Sequence, residues 1–125
     1  MTTIEVRRAP ARTKKKWEAL LPGGKIVRFG ARGYSDFTLH GDPRRMVRYV
    51  QRHGGGGTSA QDGDKITRAM LSRARSSSEN WGATGVGTPG FWSRWLLWSY
   101  PNIRDAARHT QKVVLKGKYS IKIKK

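Results

Sequence analysis

Gly85, Gly87 and Gly90 stand in the G-x-G-x-x-G spacing that, between a strand and a helix, lets backbone amides cradle a pyrophosphate. The approach to them, Asn80-Trp81-Gly82-Ala83-Thr84, has no strand pattern, and Pro89 removes one amide the phosphate would need. The segment therefore reads as a flexible loop. Asp62-Gly63-Asp64 opens like a calcium loop, but the later ligands are missing and the surroundings are cationic. His40, His53 and His109 have no metal-type spacing. The chain contains no cysteine, which excludes disulfides, thiolate metal sites and cysteine nucleophiles. No nucleophile elbow, P-loop or paired-carboxylate motif is present. The expectation is a non-enzymatic protein that uses no cofactor and no metal.

What remains is charge. Across 125 residues, 26 Lys+Arg face 8 Asp+Glu, a formal net charge of +18. The length allows one small domain, and a hydrophobic fraction of 36% with five tryptophans implies a small core built on aromatic rings. No apolar run approaches the roughly 18–20 residues of a membrane span, and the N-terminus lacks a signal peptide's apolar stretch. Cations are densest at the two ends. Residues 1–16 hold Arg7, Arg8, Arg12, Lys14, Lys15 and Lys16 against Glu5 alone. Residues 112–125 hold Lys112, Lys116, Lys118, Lys122, Lys124 and Lys125 with no acid. Such ends contact a polyanion or an acidic protein surface, and they order only as strands on the domain or within a larger assembly.

The elements that would position these charges follow from pattern and punctuation. Residues 1–16 contain Pro10 and no sustained period, and read as a basic N-terminal arm. Trp17, Leu20 and Leu21 suggest a helical turn closed by Pro22-Gly23-Gly24. Lys25–Phe29 and Tyr34–His40 read as a β-hairpin, the second strand alternating with period two. Asp42 caps and Pro43 starts a helix reaching about His53, with Met46, Val47, Tyr49 and Val50 on one side. Arg44, Arg45, Arg48 and Arg52 lie mostly on the other. Residues 54–64 and 76–90 read as mobile or partner-ordered loops around a second helix over Lys65–Arg75.

Thr88 and Pro89 then begin the most apolar element, Phe91–Trp98, which must be buried in the core or against another protein. A further helix starts at Asn102 and keeps its spacing to Val114. At the end, Tyr119, Ile121 and Ile123 alternate with lysines as a one-faced strand. The fold expected is a small α+β domain over 17–112, with a hairpin, three or four short helices and a basic C-terminal strand over 113–125. Phe91, Trp92, Trp95 and Trp98 form its core or docking surface. The basic contacts are Arg7, Arg8, Lys14, Lys15 and Lys16, then Arg44, Arg45 and Arg48, then Lys122, Lys124 and Lys125. Asp36 and Arg94, each a charge beside apolar neighbours, are expected to pair with each other.

Ser35-Asp36-Phe37-Thr38, Asp42-Pro43 with Arg45, Tyr49 and Arg52-His53, and above all Gly90-Phe91-Trp92-Ser93-Arg94-Trp95-Leu96-Leu97-Trp98 carry a more specific signal. Over about residues 34–112 the chain resembles a family of small, functionally uncharacterised proteins of nucleocytoplasmic large DNA viruses. That resemblance implies no catalytic residues. It implies a virion setting, in which a short basic chain looks like a minor structural protein whose arms cement neighbouring capsid proteins. The alternative in the same setting is a core protein that binds and condenses DNA through its phosphates, with little sequence selectivity.

Overall fold

Ile4 and Val6 are buried while Thr3 and Arg7, one residue out of phase, face solvent, and this period of two makes the first segment a strand. The computed structural model describes residues 2–54 and 76–124. Strand β1 (Thr2–Arg8) pairs antiparallel with β2 (Lys15–Leu20), which pairs antiparallel with β3 (Ile26–Ala31). Strand β4 (Tyr119–Lys124) joins the other edge of β1 in parallel, giving a four-stranded mixed sheet in the order β3-β2-β1-β4. The segment read as a basic N-terminal arm is thus an inner strand of the domain, the first of the two ways in which such ends were expected to order. Burial of Ile4 and Val6, and backbone pairing on both sides, offset the entropy of ordering it.

The hairpin differs from the expected one for an equally local reason. Trp17 and Ala19 point into the core in step with Val27 and Phe29, so the run expected to be a helical turn is strand β2, and Pro22-Gly23-Gly24 is the turn to β3. Tyr34–His40 does not alternate in space. Asp36 instead accepts a hydrogen bond from the Thr38 amide at 2.9 Å and caps a short helix, α1 (Phe37–His40), leaving Leu39 exposed. Helix α2 (Pro43–Arg52) starts as anticipated, with Asp42 accepting from the Arg44 amide at 3.0 Å and with Met46, Val47, Tyr49 and Val50 inward.

Helix α3 (Pro89–Trp92) runs on through a π-helical turn, Ser93–Leu97, and packs on β3. Phe91, Trp92, Trp95, Leu96 and Leu97 are all buried, so this element is core rather than an outward docking surface. Helix α4 (Ile103–His109) likewise widens into a π-helical turn, Thr110–Val114, and packs on β4. The result is a small α+β domain, with its core between one sheet face and the helices.

The stretch from Ser76 to Gly90, expected to be mobile or ordered by a partner, is tied down from within the chain. Trp92 Nε1 donates to the Val86 carbonyl at 2.7 Å, and Trp95 Nε1 donates to the Trp81 carbonyl at 2.7 Å. Gly85 is buried here, and a β-carbon at that position would collide with the Asn80 carbonyl. The helix expected over Lys65–Arg75 and the Asp62-Gly63-Asp64 motif lie outside the described residues, as does most of the 54–64 loop. Among the described residues no helix is long and apolar enough to cross a membrane.

Candidate functional site

The third resemblance motif lies some way along the chain from the first two, and the fold brings residues of all three to one place. A cleft of about 550 Å³ opens where β2 and β3, α2 and the start of α3 meet. Ser35 and Asp36 line it from one motif, Arg45, Tyr49, Arg52 and His53 from the second, and Gly90, Ser93, Leu97 and Trp98 from the third. Lys15, Lys16, Tyr34 and Glu79 complete the wall. Gly30, at φ +76°, lets β3 bend against the helix layer, where a β-carbon would press on Leu97.

Aromatic rings form one wall as a column. The Tyr49 ring lies 4.5 Å from Trp98 at an interplanar angle of 5°, and 4.1 Å from His53 at 29°. His40 tilts against Trp98, with ring centroids 5.3 Å apart at an interplanar angle of 54°. Tyr49 is buried, which raises its phenol pKa above the ordinary value, with Glu79 adding to the effect and a hydrogen bond to Ser93 opposing it. It therefore stays neutral. Burial lowers the pKa of His40, with Arg45 adding to that effect, and its Nδ1 accepts from the Asp42 amide at 2.9 Å.

The charges sort into spent and available ones. Lys16 Nζ sits 2.6 Å from Asp36 Oδ2, so Asp36 pairs with Lys16 and not with Arg94 as expected. Arg94 is fully buried between Trp95 and Trp81, its guanidinium 4.5 Å and 5.5 Å from their ring centroids, and donates to the Trp98 carbonyl at 2.5 Å. Burial lowers its pKa to about 10, so it remains charged at neutral pH. Glu79 pairs with His53 at 3.0 Å. In contrast, Lys15, Arg45, Arg48 and Arg52 form no ion pair among the described residues. Arg45 and Arg52 also line a second cavity of about 630 Å³, together with Arg48, Gln51 and Trp98. The two cavities therefore share Arg45, Arg52 and Trp98, and the basic face of α2 runs along both.

The other expected contacts scatter. Arg7 reaches Glu18 on the outer sheet face, and Lys124 reaches Glu5 there at 3.5 Å, with Lys122 beside them. Arg8 lies over the Trp17 ring at 4.1 Å, while Lys14 holds the exposed left-handed corner before β2. Arg44 is exposed near the start of α2, and Lys125 lies outside the described residues. Phe91, Trp92 and Trp95 are core, and of that aromatic set only Trp98 reaches the cleft. Sequence reasoning passed over Tyr34 and Glu79 as site residues because only long-range packing sets them beside α2. Arg52 is legible in the i, i+3, i+7 series of Arg45, Arg48 and Arg52. Among the described residues no group of three or more His, Asp or Glu is placed to hold a metal ion.

No curated protein and no solved structure matches this chain. A family model described as a family of unknown function (DUF5754) matches residues 4–53. That span runs from β1 to the end of α2, so it contains Asp36, Arg45, Tyr49, Arg52 and His53 of the cleft but not its third wall. Over those residues, the chain is similar to an uncharacterised domain.

Proposed function

We propose that this is a non-enzymatic virion protein that binds the phosphate backbone of nucleic acid, with α2 and the cleft as its contact surface. The observation that carries the reading is the set of cations without an ion pair among the described residues, Lys15, Arg45, Arg48 and Arg52, gathered on one side of a chain of net charge +18. Guanidinium groups spaced along one helix face suit successive phosphates, and an excess of this size calls for an external polyanion. The virion setting is supported by the resemblance of residues 34–112 to large-DNA-virus proteins.

Capsid cementing is the second reading. Because the two ends pair as strands β1 and β4, it cannot use them as free arms. What favours it is the outer sheet face, where Arg7, Arg28, Lys122 and Lys124 outnumber their partners Glu5 and Glu18 and leave a net positive layer on which an acidic protein surface would fit.

An electrophoretic shift of duplex and single-stranded oligonucleotides across a salt series tests the first reading. Four phosphate contacts give a slope of log affinity on log salt of about −3 to −4, and Arg45→Ala with Arg52→Ala should flatten it by about 2. No shift of either probe even at low salt would eliminate nucleic-acid binding. Retention on emptied, DNA-free shells would then support cementing.

A further inference from the structure

We infer that the cleft takes single-stranded nucleic acid, with one unpaired base lodged against its aromatic wall and the flanking phosphates on Lys15, Arg45 and Arg52. This rests on the backbone-binding reading above and narrows it from any polyanion to a strand whose bases are free.

Three observations carry it. The first is Tyr34, which is 73% exposed, forms no ring stack among the described residues, and lines the same cleft as His53, Tyr49 and Trp98. A large aromatic ring left in water beside a basic cleft has the composition of a stacking platform, on which any base can lie because every base has a π-face. Bases in a duplex have both faces covered by their neighbours, so only an unpaired base can use it.

The second observation is size. A volume of about 550 Å³ lies within the range of sites for small organic ligands and is sufficient for one nucleotide. The adjoining 630 Å³ cavity shares Arg45, Arg52 and Trp98 with the first, so a strand leaving the cleft continues past Arg48 along α2.

The third is electrostatic. Among the described residues lining the cleft, Asp36 is paired with Lys16 and Glu79 lies against His53 at 3.0 Å, so Lys15, Arg45 and Arg52 outnumber the one carboxylate without a Lys or Arg partner. Tyr49 is held neutral by burial and adds no negative charge to the wall.

Fluorescence anisotropy of the full chain with labelled 12-nucleotide oligo-dT, oligo-U and a 12-base-pair duplex at one salt concentration tests the inference. Single strands should bind at least about 10-fold tighter than the duplex. The Tyr34→Ala variant should lose about 10-fold on the single strands and nothing on the duplex, and Tyr34→Phe should retain wild-type binding. Tyr34 is exposed, so neither change threatens the fold, and circular dichroism checks that. A preference for oligo-U over oligo-dT would assign RNA, and equal binding or the reverse would assign DNA as a sufficient ligand; both support the inference. Equal affinity for strand and duplex, indifferent to Tyr34→Ala but weakened by Arg45→Ala with Arg52→Ala, would overturn the inference and leave backbone binding standing. Failure of all three probes to bind would overturn both.

Discussion

Glu18 is 2% exposed on the solvent side of the sheet, roofed by Arg7 at 2.8 Å and Arg28 at 3.0 Å from the strands on either side. Burial alone would raise its pKa, but the hydrogen bonds from the two guanidinium groups together outweigh that and hold it below the usual 4.5. A carboxylate with a lowered native pKa contributes stability that is present above 4.5 and lost as pH falls through the native value. Replacing it by glutamine keeps the shape but leaves two guanidinium groups without their counter-charge. Glu18→Gln should cost about 1–2 kcal/mol at pH 7, discounted because both arginines are partly exposed. Urea unfolding followed from pH 7 to pH 3 checks this, and the variant should lose less on acidification than the wild type. At this scale the sequence was only partly readable. Asp36 and Arg94 stood out as charges among apolar neighbours, yet a list of neighbours along the chain does not say which cation folds back twenty residues to reach Asp36.

Among the elements, the ones legible in advance were those with strong local punctuation. Helix α2 has its Asp42 cap and Pro43 start, α4 has Asn102 accepting from the Arg104 amide at 2.9 Å, and β4 has strict alternation. The misread ones share a cause. Tyr34–His40 shows a period of two that tertiary packing does not use, because Asp36 closes a helix cap there instead. Trp17–Leu21 is too short for periodicity to separate strand from helix. The glycine-rich loop before α3 has the composition of a mobile segment, and the two indole donors that fix it come from the next element. That grip is testable. Trp95→Phe keeps most of the buried ring but leaves the Trp81 carbonyl without its donor. It should destabilise the fold by about 2–4 kcal/mol in urea unfolding, and hydrogen exchange across residues 80–88 should accelerate. An unchanged midpoint would mean that the loop does not depend on that bond.

At the scale of the molecule, the parallel pairing of β1 with β4 draws the two most basic ends of the chain together at one side of the sheet. Ile4 faces Ile121 and Val6 faces Ile123 across it, while Arg7 faces Lys124. Apolar pairing on the inner face thus works against charge repulsion on the outer one, relieved in part by Glu5 and Glu18. Removal of residues 119–125 would uncover this edge of β1. It should cost about 3 kcal/mol or more, read as a lowered urea midpoint. A free tail could be removed without effect, so an unshifted midpoint would speak against a strand role for β4. The composition alone determined that this chain is a cysteine-free, strongly cationic domain with an aromatic core, because residue types fix ionisation, redox chemistry and buryable area whatever the fold. Which cations are spent on Glu18 and Asp36, which along α2 have no ion pair among the described residues, and which rings line a cleft with Tyr34 were decided only by tertiary structure. Those partners lie tens of residues apart, and only the packing of the helices on the sheet brings them together.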